Sequence, residues 1–113
     1  GQSVSTSTGQ DIVAYVKENY TNPVLSLDML SKYFGMQSSK ISVIIKKELG
    51  VGFHDFLTEL RLNESKRPLK TTSLPAKEIS LKCGLGSEKT FFRIFKNETG
   101  ITPSTFRKIL NRS

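Results

Sequence analysis

The chain has 113 residues, enough for one domain or for two very small subdomains that share a linker. Its 17 Lys and Arg against 10 Asp and Glu give a net charge of +7, which favours an anionic partner without identifying one. The single cysteine excludes an internal disulfide framework and a multi-cysteine zinc site, and we expect neither a metal nor a cofactor. No apolar run approaches the roughly 20 residues of a membrane span, so we expect a cytoplasmic location.

The first half of the chain reads as helices separated by turns. We interpret the small, polar residues 1–9 as a tag or linker remnant. An amphipathic first helix follows and closes before Pro23, and a second runs from the capping residue Ser26 to Gly35. After a short turn, Ser38 is predicted to cap a third helix that ends at Gly50.

A fourth helix follows directly, and Pro68 is expected to prevent it from continuing unkinked beyond about Arg67. Pro75 then opens a fifth helix as a first-turn residue, and this helix ends at Gly84. Ser87 caps the sixth helix, which ends at Gly100. Thr102 and Pro103 begin the seventh helix as its cap and first-turn proline.

Ten residues of the third helix recur in the sixth. The stretch 41–50, ISVIIKKELG, corresponds to 91–100, FFRIFKNETG, with the apolar residues, a lysine, a glutamate and the final glycine in the same places. Upstream the offset falls from 50 to 49, so the second copy has one extra residue between Gly84 and Phe91, which marks a turn. We therefore predict an all-α fold of seven helices, in which helix-turn-helix subdomains over residues 10–51 and 69–113 are joined by a linker helix over residues 52–68.

The outward positions of the repeated helices are candidates for reading DNA. In a helix-turn-helix the inward positions of the second helix hold it to the first, and the other positions can face the major groove. Arg93 can bond guanine with two hydrogen bonds, Glu88 can accept from a cytosine amino group, and Phe92 can touch a thymine methyl, so the second copy should carry more sequence discrimination. For Phe92, widening of the core is the alternative. The predicted base-reading residues are Ser39, Ser42, Val43, Glu88, Lys89, Thr90, Phe92 and Arg93.

Lysines and helix starts in both copies are candidates for binding the phosphates of the DNA backbone. Lys46 and Lys96 occupy the same position of the repeat, and each has a long stem that can reach a phosphate. The alternative is that each lysine only lies on a solvated helix face, but such a face need not repeat between the copies. Residues 75–113 contain eight basic and three acidic groups, so the second copy should dominate the electrostatics. The predicted phosphate-binding residues are Ser38, Lys40, Lys46, Lys47, Ser87, Lys96 and Thr102.

The spaced residues of the second copy resemble the C-terminal DNA-binding domain of the AraC/XylS family of bacterial transcription regulators. The residues that carry the resemblance are Glu78-Ile79-Ser80, Cys83-Gly84-Leu85, Phe91, Phe95-Lys96, Gly100, Thr102-Pro103-Ser104 and Phe106-Arg107. The resemblance runs from about Ile12 to Arg107. It implies sequence-specific binding of double-stranded DNA. Independently, a linker helix of about fifteen residues spans ~22 Å, so the two recognition helices could enter adjacent major grooves. The resemblance further implies RNA polymerase as a partner and a sensor, receiver or membrane-linked module of the same chain.

Two departures from the family pattern bear on function. Val43 stands where a polar or basic reader is common, so we expect the first copy mainly to position the DNA. Pro68 stands where leucine is usual, and we expect it to shorten the linker helix and to loosen the coupling between the two halves.

Two other classes of function are an enzyme and a protein-interaction module. An enzyme is disfavoured because His54 is the only histidine and neither a phosphate-binding glycine loop nor a paired-carboxylate arrangement is evident. The alternative to DNA binding is a helical protein-interaction module, for which outward apolar residues such as Val43 and Phe92 would be the signal.

Overall fold

A computed structural model of the chain describes residues 4–111, and these residues form seven helices and no strand. The predicted all-α class with seven helices is therefore confirmed. The helices are α1 (Val4–Asn19), α2 (Leu27–Phe34), α3 (Ser38–Leu49), α4 (Phe53–Thr71), α5 (Ala76–Lys82), α6 (Glu88–Thr99) and α7 (Pro103–Asn111).

The chain forms two compact units, and the first contains α1, α2, α3 and the start of α4 up to Thr58. Within it, α3 packs against both α1 and α2. The Ser26 hydroxyl caps α2 by accepting a hydrogen bond from the Met29 amide at 3.2 Å, and Gly35 ends the helix with a left-handed backbone, as predicted. The buried apolar residues of this unit are Ile12, Val13, Val16, Leu25, Leu30, Ile41, Ile45, Phe53, Phe56 and Leu57.

The second unit contains residues 21–23, the rest of α4 from Glu59, and α5 to α7, with α6 packed against α5 and α7. Its core is a cluster of Leu62, Leu69, Ile79, Cys83, Leu85, Phe91 and Phe95. Cys83 lies in this cluster with 1% of its surface exposed, and burial raises the pKa of its thiol. Cys83 is thus a small apolar core residue.

The linker helix is longer than the sequence predicted. It runs from Phe53 to Thr71 and contains Pro68, so it continues three residues beyond the predicted end at residue 68. Two interactions favour the extra turn. Leu69 is 2% exposed in the core of the second unit, and the Arg107 guanidinium donates hydrogen bonds to the backbone carbonyls of Pro68, Leu69 and Thr72. A proline near a helix end can be tolerated when such contacts hold the following residues.

Smaller differences concern helix starts and ends. Pro75 is the residue before α5 rather than its first residue, and α5 ends at Lys82, two residues before Gly84. Residues 4–9, part of the segment interpreted as a tag or linker remnant, are helical and form the start of α1. Gly9 is buried, and a Cβ added to it would lie 2.6 Å from the Glu48 carboxylate of α3. Residues 1–3 lie outside the described part of the chain.

Candidate nucleic-acid interface

The helices α3 and α6 are structural copies of each other. Each has 12 residues, and each is followed by a glycine in the left-handed conformation, Gly50 with φ 80° and Gly100 with φ 85°. The sequence of buried, half-buried and exposed residues is identical over residues 41–50 and 91–100. Ile41 and Ile45 in α3, and Phe91 and Phe95 in α6, are fully buried. The same face of each helix is therefore fixed to its unit, and the same opposite face is left outward.

The outward face of α3 is basic and hydroxylated with one apolar residue in its middle. Val43 is 59% exposed, although it is a large apolar side chain. Ser38 and Ser42 are half-buried. The exposed residues from the predicted interface on α3 are Ser39, Lys40, Val43, Lys46 and Lys47.

The outward face of α6 presents charges of both signs. Glu88, Lys89, Arg93 and Lys96 are exposed. The Thr90 hydroxyl is half-buried and accepts a hydrogen bond from the Ser87 hydroxyl at 2.9 Å, so it is partly engaged within the protein. Arg93 occupies the position that corresponds to Val43 in α3, at the middle of the exposed face.

Phe92 belongs more to the core than to the outward face. It is half-buried and packs against the hydrophobic cluster of the second unit, with its ring centroid 6.3 Å from that of Phe91. This geometry favours the alternative that Phe92 widens the core. Its predicted contact with a thymine methyl stays a prediction.

The two copies begin differently. The Ser87 hydroxyl caps α6 by accepting from the Thr90 amide at 3.1 Å, as predicted, and Thr102 caps α7 in the same way through the Thr105 amide at 3.2 Å. The prediction that Ser38 caps α3 is wrong, because Ser38 is the first helical residue and Gln37 is the capping one. Gln37 makes no side-chain capping hydrogen bond and is exposed. Sequence reasoning missed this residue, although glutamine beside a recognition helix can read adenine.

The turn before each of these helices also differs, at the place where the repeat gains a residue. Three residues separate α2 from α3, and five residues separate α5 from α6. The shorter turn has one left-handed glycine, Gly35, whereas the longer turn has two, Gly84 with φ 91° and Gly86 with φ 89°. Because only glycine adopts such angles without strain, these glycines fix how the chain enters each helix. The insertion that the sequence placed after Gly84 is confirmed as a turn.

Lys46 and Lys96 lie in the last turn of their helices, and in each case the carbonyl of the lysine accepts a hydrogen bond from the amide of the terminal glycine at 2.8 Å. A cation here interacts favourably with the helix dipole. The repeat of this lysine therefore has a structural cause as well as a candidate role at DNA. Both side chains are exposed and can reach a phosphate without breaking a contact.

Residues 4–111 contain neither a candidate metal site nor a candidate membrane span. The described His, Cys, Asp and Glu residues include no group of three or more that could hold a metal ion. Within the same residues, no helix is long and apolar enough to cross a membrane.

Comparison with known proteins decides the family. A family of helix-turn-helix domains matches residues 30–109 of the chain. Among solved structures, a Chromobacterium violaceum transcriptional regulator, described as an AraC-type DNA-binding domain-containing protein, is similar. The two chains are 30% identical with a TM-score of 0.78, and the match covers 92% of each. The chain belongs to this AraC-type helix-turn-helix family.

Curated proteins similar to the chain are named as helix-turn-helix transcriptional regulators. The chain is 30% identical over 97 residues to the HTH-type transcriptional activator AarP of Providencia stuartii, covering 86% of this chain and 71% of AarP. It is 40% identical over 83 residues to an uncharacterised HTH-type transcriptional regulator of Staphylococcus aureus, which covers 74% of this chain. The matched part is 11% of the Staphylococcus protein, so the chain corresponds to a small portion of that relative.

Proposed function

We propose that this AraC-type chain binds double-stranded DNA with sequence preference and regulates transcription, with α3 and α6 as the two recognition helices. The observation that carries the proposal is the identical burial pattern of these helices over residues 41–50 and 91–100. A helix that keeps the same face free in two copies, while its sequence there stays charged or hydroxylated except at Val43, is adapted to an external polar partner. The net charge of +7 favours a polyanion as that partner.

In this proposal α6 carries the base discrimination. Arg93 is exposed at the middle of the outward face and can bond guanine through two parallel hydrogen bonds. Glu88 and Lys89 are exposed in the first turn of α6, the helix that carries Arg93. At the equivalent place α3 offers Val43, which can contact a thymine methyl but forms no hydrogen bond. The hydroxyls of Ser39 and Ser42 are the remaining base-reading candidates on α3.

The phosphate backbone would be held by exposed cations and by helix starts. Lys40, Lys46 and Lys47 on α3 and Lys96 on α6 are exposed and carry long, flexible stems. The amide groups at the starts of α3, α6 and α7, near Ser38, Ser87 and Thr102, add the positive ends of three helix dipoles. These contacts position the DNA and are insensitive to its sequence.

Relatives support the wider role. AarP is named a transcriptional activator, and the Chromobacterium protein is described as carrying a DNA-binding domain. By extension we propose RNA polymerase and a sensor, receiver or membrane-linked module of the same protein as partners, and a cytoplasmic location. The relatives are named as transcriptional regulators and not as enzymes, and we propose no catalytic activity.

The proposal is tested by selecting bound sequences from random duplex DNA and then measuring affinity for the selected site. We expect Arg93→Ala to weaken binding to the selected site by roughly 10- to 100-fold and to relax preference at one position, since a bidentate base contact discriminates by about 1–3 kcal/mol. Lys96→Ala should weaken all sequences alike. Lys17→Ala removes an exposed cation of α1 and serves as the control, with affinity expected to stay at the parent level.

A footprint on the selected site tests the placement of the two recognition helices. The sequence prediction of adjacent major grooves requires two protected regions about 10 base pairs apart. Loss of protection at one region in Arg93→Ala would assign that region to α6. Recovery of no common sequence, with equal affinity for all duplexes, would contradict sequence-specific recognition and leave the protein-interaction alternative.

A further inference from the structure

The first unit carries a groove that combines aromatic rings with carboxylates, which we call the acidic-aromatic groove. Its volume is about 290 Å³. The residues that line it are Asp11, Ala14, Tyr15 and Glu18 of α1 and Tyr33 and Phe34 of α2. None of these residues belongs to α3 or α6, and the proposed DNA contacts use none of them.

The rings in this groove form a supported cluster with an open surface. The centroids of Tyr15 and Tyr33 lie 4.3 Å apart with a tilt of 35°, and Phe34 meets both rings edge-on, at 5.8 Å and 4.9 Å. These contacts hold the Tyr33 ring in place. Tyr33 is nevertheless 65% exposed, so part of a firmly packed aromatic surface faces water.

Two carboxylates flank the rings. Asp11, Tyr15 and Glu18 are spaced by four and three residues along α1, and this spacing places them on one stripe of the helix. Asp11 and Glu18 are exposed, and neither forms an ion pair with a cation in the described part of the chain. In a chain with a net charge of +7, this groove has the opposite sign of charge from the molecule as a whole.

We propose that the acidic-aromatic groove docks an arginine side chain from a segment of a partner protein. A guanidinium is planar, stacks on aromatic faces and donates paired hydrogen bonds to carboxylates, so Tyr33, Asp11 and Glu18 together match all of its recognition chemistry. Lysine fits less well, because an ammonium cannot stack and is more strongly hydrated.

The charge and shape of the groove decide between classes of occupant. DNA is repelled by two carboxylates, since its affinity for proteins comes largely from phosphates meeting cations. Small-molecule sites enclose most of the ligand surface, whereas Asp11, Glu18 and Tyr33 are all exposed. An open groove can still enclose an arginine side chain that belongs to a polypeptide, because the partner's own backbone covers the open side of the groove.

The test is an NMR titration of the 113-residue chain in the absence of DNA, so its outcome is independent of the proposed DNA binding. The probe is acetyl-Gly-Arg-Gly-amide, and the matched control is the same peptide with citrulline, which keeps the shape and removes the charge. We expect saturable shifts of the Tyr33 ring and of the residue 11–18 amides with the arginine peptide. The citrulline peptide should bind at least about fivefold more weakly.

Variants locate the binding. Glu18→Gln and Tyr33→Leu should each weaken the arginine peptide by about fivefold or more, while Tyr33→Phe, which keeps the ring, should bind like the parent. Glu98→Gln removes an exposed carboxylate of the second unit and should change nothing. Thermal melting of each variant separates lost binding from lost folding.

Three results would overturn the proposal. Equal affinity for the citrulline peptide would remove the role of charge. Equal affinity for methylguanidinium alone would make the groove a small-ligand site. In a separate competition experiment, displacement of the peptide by duplex DNA would make the groove part of the nucleic-acid surface.

Discussion

Val43 and Arg93 occupy the same position in the two copies of the helix, but one side chain is apolar and the other is charged. Both lie at the middle of the exposed face of a proposed recognition helix, three positions before the lysine that the two copies share, Lys46 or Lys96. The surrounding burial is identical, so the backbone environment does not dictate either side chain. The difference between valine and arginine is therefore free to reflect what each helix contacts.

Gln37 gives a residue-scale prediction, because it is the counterpart of Ser87 at the start of the other recognition helix. Its side chain makes no capping hydrogen bond, so Gln37→Ala should leave the free energy of unfolding within about 0.5 kcal/mol of the parent. If the amide reads a base, the same change should weaken DNA binding by roughly 5- to 100-fold and relax one base preference. Urea unfolding and fluorescence anisotropy on the selected DNA measure the two effects.

Ser87→Ala is the matched control for Gln37→Ala. It removes a capping hydrogen bond to the Thr90 amide and should cost about 1 kcal/mol of stability. A Gln37→Ala variant that loses stability like Ser87→Ala, with unchanged base preference, would show that Gln37 serves the fold and not the DNA.

At the scale of elements, the end of α4 depends on a residue far along the chain. The Arg107 guanidinium of α7 donates to the carbonyls of Leu69 at 3.1 Å, Pro68 at 3.4 Å and Thr72 at 3.0 Å. The last carbonyls of a helix have no partner within the helix, and a cation there also interacts favourably with the helix dipole. Arg107 thus fastens α7 to the end of α4 within the second unit.

Arg107→Met keeps the apolar stem and removes these hydrogen bonds, so we expect it to lower the free energy of unfolding by about 1–3 kcal/mol. Arg93→Met is the matched control, because Arg93 is exposed on α6 and its loss should cost less than about 0.5 kcal/mol. Chemical denaturation measures both. In a DNA titration the order should reverse, and Arg93→Met should lose more DNA affinity than Arg107→Met. Equal stability of the two variants would contradict the fastening role of Arg107.

At the scale of the whole molecule, the net charge of +7 predicts how binding responds to salt. If Lys40, Lys46, Lys47 and Lys96 each neutralise one phosphate, log affinity should fall linearly with log salt with a slope of about −4. Replacing Lys96 by alanine should make the slope shallower by about 1. Anisotropy titrations between 50 and 200 mM salt, roughly the physiological range, measure the slope. An affinity that barely changes with salt would exclude contacts between lysines and phosphates as the main source of binding.

Much of the architecture was predictable because it rests on local signals. The periodic apolar residues Ile41 and Ile45 and their partners Phe91 and Phe95 identified the buried faces, and all four are fully buried. Gly50 and Gly100 marked helix ends, since only glycine adopts the required left-handed angles without strain. The candidate base-reading and phosphate-binding residues followed from which positions the core leaves free.

The sequence by itself determined the seven helices, the repeat and the outward faces, because propensity, capping and periodicity act over a few residues. Only the tertiary structure decided that α4 continues through Pro68, because the burial of Leu69 and the hydrogen bonds of Arg107 come from residues distant in the chain. It also placed Phe92 against the core and brought Tyr33 of α2 onto Tyr15 of α1. Contacts between residues far apart in sequence leave no periodic signal, so packing alone fixes them.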